Sequence, residues 1–277
     1  MTTQGAQPRA GAGEDAARAS GAERIRAAFD RSGKRAALMP YLMGGHPDIE
    51  TSRACLQAAI DAGADLIELG IPFSDPLADG PVIHEAGTVA LRAGVKPADV
   101  LGLCEEISAR VPVLLMVYAN VVLSHGGDDF ARRAARAGAA GLIVPDLPHE
   151  EAASVREACE AAGLALIPLV APTTTSELLR EIGRDASGFV YAVSLVGTTG
   201  ERGELPPGLP ELVGRIRAAT PVPVAVGFGI STGEQARSVG DLADGVIVGS
   251  RVVRAAAEAG PDGVRDVVAE LAAALAL

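Results

Sequence analysis

The sequence predicts an α/β fold, a (β/α)8 or TIM barrel, because short apolar runs alternate with amphipathic helical stretches eight times. Nearly half of the 277 residues are apolar, yet aromatic residues make up only 3%. Alanine, valine, leucine and glycine therefore fill the core, which suits helices packed on buried parallel strands. No GxGxxG motif follows the first run, and this disfavours the competing doubly wound open sheet.

The elements follow in order from the N-terminus. Residues 1–21 are rich in alanine and glycine without apolar periodicity, so we expect a disordered extension before a single barrel domain at 22–277. The stretch 23–34 places Ile25, Ala28 and Phe29 at helical spacing, which predicts an extra N-terminal helix. The eight apolar runs span 37–45, 65–72, 111–118, 141–146, 164–171, 188–197, 223–230 and 244–250.

The connection between the second and third runs is the longest. It contains a second helical stretch, EAGTVALRAG at 85–94, so the second βα loop is expected to be elaborated. Glycines at 63, 138 and 163 stand where a helix would end before the next strand.

Charge and cysteine content limit the partners and the compartment. A net charge of −11 argues against a nucleic-acid backbone or an anionic membrane as the main partner, but backbone N–H groups can still bind a small anion. The three cysteines are widely spaced within helical stretches, which favours buried thiols over a disulfide or a zinc site. Neither a signal peptide nor a membrane-spanning run is evident, so we expect a cytoplasmic protein.

The second run carries a carboxylate in its middle. In DLIELGIP, Leu66, Glu68 and Gly70 share one face of the predicted strand, while Ile67, Leu69 and Ile71 share the other. The larger apolar set should meet the helices, which points Glu68 into the barrel. Burial would raise the pKa of Glu68 towards neutrality, as a general acid/base requires. The structural alternative is a buried salt bridge to an arginine.

Asp75 and Asp79 lie in the loop that follows this strand, at the end of the barrel where active sites of this fold are built. Loop aspartates also cap turns, so their position beside Glu68 is what favours a functional role. Glycine-bearing loops follow the sixth, seventh and eighth runs, at 196–202, 227–231 and 248–251. They predict a phosphate site, with ordinary tight turns as the alternative.

Other aldolase chemistries fit the sequence less well. A Schiff-base enzyme needs a lysine at a strand end, but Lys34 precedes the first run and Lys96 lies in the long second connection. The four histidines are scattered singly without metal-ligand spacing, so we expect no metal.

The block GADLIELGIPFSDPLADGPVI closely resembles the signature of the tryptophan synthase alpha subunit family. The segments VYAN, IVPDLPHEE, GTTGER, VGFGIS and ADGVIVGS add to this resemblance, which covers about residues 23–277. Members of this family are (β/α)8 barrels that cleave indole-3-glycerol phosphate into indole and glyceraldehyde 3-phosphate without a cofactor.

The resemblance implies roles for individual residues. Glu68 matches the family's general acid/base, and Asp79 matches the carboxylate that binds the indole N–H. Thr199 matches the residue that orients the catalytic aspartate. The phosphate-binding positions match Gly200, Phe228, Gly229, Gly249 and Ser250, and the indole pocket would include Tyr41, Met116, Tyr118, Tyr191, Ile230 and Ile247.

The resemblance also implies a partner, a pyridoxal-phosphate-dependent beta subunit in an α2β2 heterotetramer with indole passed through a tunnel. Asp75, Pro76, Asn120 and Pro148 match positions on that docking face. The sequence departs from the family pattern at Tyr41, His46, His84, Thr198 and Arg251. Arg251 is either a further phosphate ligand or a solvated residue of the last helix.

Three alternatives remain open at this point. The first is a stand-alone indole-3-glycerol-phosphate lyase, whose catalytic residues would be the same. The second is a phosphoribosyl isomerase, which shares the barrel and the phosphate site but uses paired strand-end aspartates. The third is a purely allosteric subunit, which the intact Glu68 and Asp79 disfavour.

Overall fold

The computed structural model describes residues 19–124, 126–193, 208–227 and 229–277. The strands are β1 (Ala37–Met43), β2 (Ile67–Gly70), β3 (Val113–Met116), β4 (Gly141–Ile143), β5 (Ala165–Ile167), β6 (Leu169–Val170), β7 (Val190–Val193), β8 (Val224–Gly227) and β9 (Gly245–Val248). The helices are α1 (Gly21–Arg31), α2 (Ile49–Asp61), α3 (Pro81–Arg92), α4 (Pro97–Ile107), α5 (Ala119–Ser124), α6 (Gly127–Arg136), α7 (Ala153–Ala161), α8 (Ser176–Asp185), α9 (Leu209–Ala219), α10 (Gly233–Gly240) and α11 (Ser250–Ala274). A 3₁₀ turn covers His149–Glu151, and α11 is broken at Gly260.

These nine strands pair in parallel, in the order β5-β4-β3-β2-β1-β9-β8-β7-β6. The (β/α)8 barrel is confirmed, but its fifth apolar run forms two short strands because Pro168 has no N–H to give to a ladder. Pairing with β4 ends at Ile167, and pairing with β7 begins at Leu169. This split strand brings the two ends of the sheet together and closes the barrel.

Alternation along β2 sorts its side chains as the sequence predicts. Ile67, Leu69 and Ile71 belong to the apolar layer between strands and helices. Leu66 belongs instead to a second cluster inside the barrel. The side of β2 that carries Glu68 therefore faces the barrel interior.

Helix α1 closes the end of the barrel at which the strands begin. Its Ile25 is buried within the interior cluster, and its Ser20 N-cap forms a capping box with Glu23. The helix begins at Gly21, two residues before the predicted stretch. Residues 1–18 lie outside the described residues, so the disordered extension and the domain boundary stay predictions.

Helices α3 and α4 both lie between β2 and β3, which confirms the elaborated second loop. The glycines at 63, 138 and 163 have positive φ, as expected of residues that end a helix. All three cysteines are buried with free thiols. In the described part of the chain, no helix combines the length and apolarity needed to cross a membrane.

Candidate active site

Glu68 is a buried acid in the middle of β2, opposite Tyr41 of β1 and Leu114 of β3. Its exposure is 1%, and its Oε2 atom has no hydrogen-bond partner among the described residues. Burial, aided by the negative charge of Asp79, raises the pKa of Glu68 to about 8. No cation contributes to this shift, so the salt-bridge alternative has no support in the described residues.

Asp79 is the second acid of the site and lies in the loop between β2 and α3. Its N–H donates to the carbonyl of Pro76 at 3.1 Å, which makes a turn, and its Oδ1 atom is buried with no partner in the described ranges. Burial raises the pKa of Asp79 to about 6, although the Tyr118 hydroxyl and the charge of His84 oppose that rise. The two carboxyl groups thus differ in acidity.

Both carboxyl groups line one cavity of about 70 Å³ at the mouth of the barrel. Predicted site residues that also line it are Tyr41, Met116, Tyr191, Gly229, Ile247, Gly249 and Ser250. Gly227, the first residue of the predicted phosphate loop 227–231, lines it as well, and so do Ala78 and Ile83, which the sequence did not indicate. Ala78 adjoins Asp79 and Ile83 lies in the first turn of α3, four residues after it, so proximity in sequence to that aspartate was the available signal.

Some predicted residues lie elsewhere. Tyr118 is absent from the cavity lining and lies against the Asp79 loop, where its hydroxyl accepts the N–H of Ala78 at 3.1 Å. Ile230 is buried in the layer between strands and helices. Thr199, Gly200, Phe228 and the departure at Thr198 lie outside the described residues.

One end of the cavity is formed by backbone suited to an anion. Gly249 is the N-cap of α11 and Ser250 its first residue, and both line the cavity. The first N–H groups of a helix have no intrahelical acceptors and carry partial positive charge. Gly229 approaches the same cavity with φ of +64°, a conformation that favours glycine.

The remaining departures from the family pattern lie around this site. Arg251 forms a forked pair with Glu270, with one bond of 3.0 Å, and does not line the cavity in the described structure. His46 is buried after β1, and its Nδ1 atom lacks a partner within the described residues. His84 is exposed in the first turn of α3.

The predicted docking residues lie on one face. Asp75, Asn120 and Pro148 are exposed and Pro76 is half-buried, and they follow the carboxyl ends of β2, β3 and β4. Two exposed leucines accompany them, Leu77 (91%) and Leu123 (53%). Neither was predicted to be a docking residue, because nothing in the sequence marks Leu77 of the loop after β2 or Leu123 of α5 as an apolar side chain that faces solvent.

No group of three or more histidine, cysteine, aspartate or glutamate side chains in the described ranges could hold a metal ion. The site therefore offers two carboxyl groups, an apolar wall and a polar backbone corner. The site could bind a ligand that has a flat apolar group at one end and an anionic group at the other. Its two carboxyl groups could exchange protons with that ligand.

Comparison with known proteins gives a consistent result. The family model described as tryptophan synthase alpha chain matches residues 28–276. The tryptophan synthase alpha chain of Synechococcus elongatus (strain ATCC 33912 / PCC 7942 / FACHB-805) is 47% identical over 248 residues, covering 88% of this chain and 93% of that protein. That of Carboxydothermus hydrogenoformans is 49% identical over 227 residues, covering 80% and 84%. The Mycobacterium tuberculosis tryptophan synthase structure in space group F222 matches with a TM-score of 0.87 and 44% identity, over 94% of this chain and 100% of that one.

Proposed function

The chain belongs to the tryptophan synthase alpha chain family, and from that premise we propose how its own residues perform the alpha reaction. The protein is a lyase of tryptophan biosynthesis that cleaves indole-3-glycerol phosphate to indole and D-glyceraldehyde 3-phosphate. One observation carries the assignment of residues. The buried Glu68 and the half-buried Asp79, whose carboxyl groups each have a buried oxygen with no partner among the described residues, share one cavity.

The two acids start in different protonation states. Between pH 6 and 8, Asp79 with a pKa of about 6 is mostly ionised, while Glu68 with a pKa of about 8 is mostly protonated. The negative charge on Asp79 helps to hold the proton on Glu68. The resting site therefore contains one proton donor and one proton acceptor.

Cleavage uses these two groups in turn. Glu68 gives its proton to C3 of the indole ring, and the positive charge that develops on the ring nitrogen is stabilised by Asp79, which accepts the N–H hydrogen bond. The Glu68 carboxylate then removes the proton of the C3′ hydroxyl. The bond between C3 and C3′ breaks, its electron pair returns to the ring, and Glu68 is again protonated.

Binding divides between the two ends of the cavity. Tyr41, Met116, Tyr191 and Ile247 offer an apolar wall to the indole ring, and Gly249 and Ser250 offer backbone N–H groups to the phosphate. The cavity of about 70 Å³ is smaller than the roughly 300–1,000 Å³ of usual ligand pockets, so the substrate must also fill space outside this cavity. We keep Gly200 and Phe228 as proposed phosphate contacts, and Thr199 as the residue proposed to orient Asp79.

The partner proposed for this chain is a tryptophan synthase beta subunit. Support comes from the exposed residues around Asp75, Asn120 and Pro148, and from Leu77 and Leu123 beside them. Pro148 also borders a groove of about 410 Å³ whose lining includes Leu147, Leu178 and Ile182. The α2β2 stoichiometry, the passage of indole to the partner and the cytoplasmic location stay predictions.

The test is indole release from indole-3-glycerol phosphate by the purified chain, with and without its beta subunit. We expect slow release alone and release faster by orders of magnitude with the partner, because docking controls closure of the active-site loops. Fast release that ignores the partner would instead indicate a stand-alone lyase. No release under either condition would overturn the proposed substrate.

A further inference from the structure

Tyr118 contacts the loop that carries Asp79 at two separate points. Its hydroxyl accepts the backbone N–H of Ala78 at 3.1 Å, directly before Asp79. Its ring stacks on Phe73, with centroids 5.0 Å apart and planes inclined by 20°. Both contacts join the end of β3 to the β2–α3 loop. Tyr118 therefore holds that loop at Phe73 and again at Ala78, the residue next to Asp79.

We propose that Tyr118 is a positioning residue, which holds the Asp79 loop in place and donates its phenol proton to the Asp79 carboxylate. A hydroxyl that accepts one hydrogen bond still has its own proton to donate. Because the phenol oxygen already accepts the N–H of Ala78, its own proton is available for the Asp79 carboxylate, with which the Tyr118 side chain interacts. The inference rests on the proposed function for Asp79, since it explains how that group stays ready to accept the indole N–H.

The donated hydrogen bond has a chemical consequence for Asp79. Hydrogen bonding favours the ionised form of a carboxyl group, and the Tyr118 hydroxyl lowers the pKa of Asp79 against the effect of burial. One oxygen of Asp79 would be engaged by Tyr118, which leaves another for the substrate. The buried Oδ1, with no partner in the described residues, fits that second role.

Other titratable groups face Asp79 as well, and a test must separate them from Tyr118. Among the described residues these are Glu68 on β2, Tyr41 on β1 and His84 on α3. Tyr191 is a useful comparison, because it is a buried tyrosine of the same cavity whose electrostatic neighbour is Glu68.

The experiment compares Tyr118→Phe with Tyr191→Phe in the full-length chain. Tyr118→Phe keeps a ring that can stack on Phe73 and removes only the hydroxyl. The carboxyl titration of Asp79 is followed by NMR in protein labelled at aspartate carboxyl carbons, and Asp79→Asn assigns the signal. We expect the midpoint to rise by about one pH unit in Tyr118→Phe and to stay unchanged in Tyr191→Phe.

Kinetics supply the second readout. In Tyr118→Phe the acidic limb of kcat/KM should move upward with the NMR midpoint, and kcat should fall about tenfold with KM changed less than about twofold. An Asp79 midpoint equal to that of the wild type would overturn the proposal, even if activity fell. Because the titration needs no turnover, a shifted midpoint in a chain that released no indole would refute the proposed function and leave the role of Tyr118 intact.

Discussion

The hydroxyl oxygen of Tyr41 lies directly over Gly70, so close that a Cβ added to the glycine would stand 2.1 Å from it. The same relation recurs across the barrel, where a Cβ on Gly227 would stand 2.6 Å from the hydroxyl of Tyr191. Both tyrosines line the cavity that contains Glu68. Glycines at the ends of β2 and β8 therefore make the room in which two aromatic rings form the site.

Replacing Gly70 with alanine should push the Tyr41 ring out of this position. Overpacking of this kind costs about 1–3 kcal/mol of unfolding free energy. Because the displaced ring enters the substrate cavity, we also expect KM to rise. Urea denaturation and steady-state kinetics of Gly70→Ala measure the two effects.

The matched control is Gly214→Ala. Gly214 lies in α9 with nothing within 4 Å of its added Cβ, so alanine should leave stability unchanged or raise it by about 0.5–1 kcal/mol. Equal effects of the two substitutions would contradict a specific role for the space at Gly70.

The pH dependence of kcat/KM should be bell-shaped. Activity needs Asp79 ionised, so it should rise through the pKa of about 6, and it needs Glu68 protonated, so it should fall through the pKa of about 8. A substrate phosphate group also titrates near pH 6, so the profile should be repeated with indole glycerol that lacks phosphate. A rate that kept rising above pH 9 would contradict the need for protonated Glu68.

Asp79→Asn should lower kcat by about a hundredfold or more, since an amide carries no charge to stabilise the ring cation. Residual activity of this variant should lack the acidic limb, because the group responsible for it is gone. If the pH profile of Asp79→Asn with the phosphate-free substrate still showed an acidic limb near pH 6, that titration would belong to another group.

Stability should depend on pH through Glu68. Its folded-state pKa of about 8 lies above its ordinary value of 4.5, so its contribution to stability is fully present below pH 4.5 and is lost as pH rises through 8. Glu68→Gln has no ionisable group at this position. At pH 9 its free energy of unfolding should therefore exceed that of the wild type by an amount on the order of a few kcal/mol. Urea denaturation at pH 6 and pH 9 measures the difference.

The control for this effect is Glu181→Gln, which changes an exposed glutamate of α8. This variant should lose as much stability between pH 6 and 9 as the wild type does. If Glu68→Gln lost as much stability over this range as the wild type, the buried carboxyl group would not be the cause.

The docking face can be tested with one of its exposed leucines. Leu123→Asp places a charge on the surface proposed to meet the beta subunit, and we expect the Kd of the complex to rise about tenfold or more. Leu277→Asp is the matched control, because Leu277 is also exposed (86%) but follows Leu275, whose carbonyl accepts the N–H of Arg35 just before β1. Equal losses of affinity in both variants would contradict the assigned face.

Much of this site follows from sequence, because strand alternation and the position of loops have simple geometric consequences. The burial and inward direction of Glu68 follow from one strand and its apolar pattern. The split at Pro168 was not foreseen, because a proline inside an apolar run reads as part of the run until the neighbouring ladders are known.

The direction of the Tyr118 side chain could not be predicted from the sequence either. It lies two residues past the last residue of β3, where strand alternation no longer fixes which way a side chain points. The sequence pattern therefore predicts that Tyr118 lies at the mouth of the barrel. Its contacts with Ala78 and Phe73 show that it packs against the Asp79 loop and does not line the cavity. Ile230 is a similar case, buried in the outer apolar layer.

The most direct test of the central claim is a paired measurement on the wild type and Glu68→Gln, comparing indole release with the affinity for indole-3-glycerol phosphate. We predict that the variant binds the substrate within about threefold of the wild-type Kd, because the backbone corner at Gly249 and Ser250 is intact, while its kcat falls at least about a thousandfold. Wild-type turnover in Glu68→Gln would contradict the account.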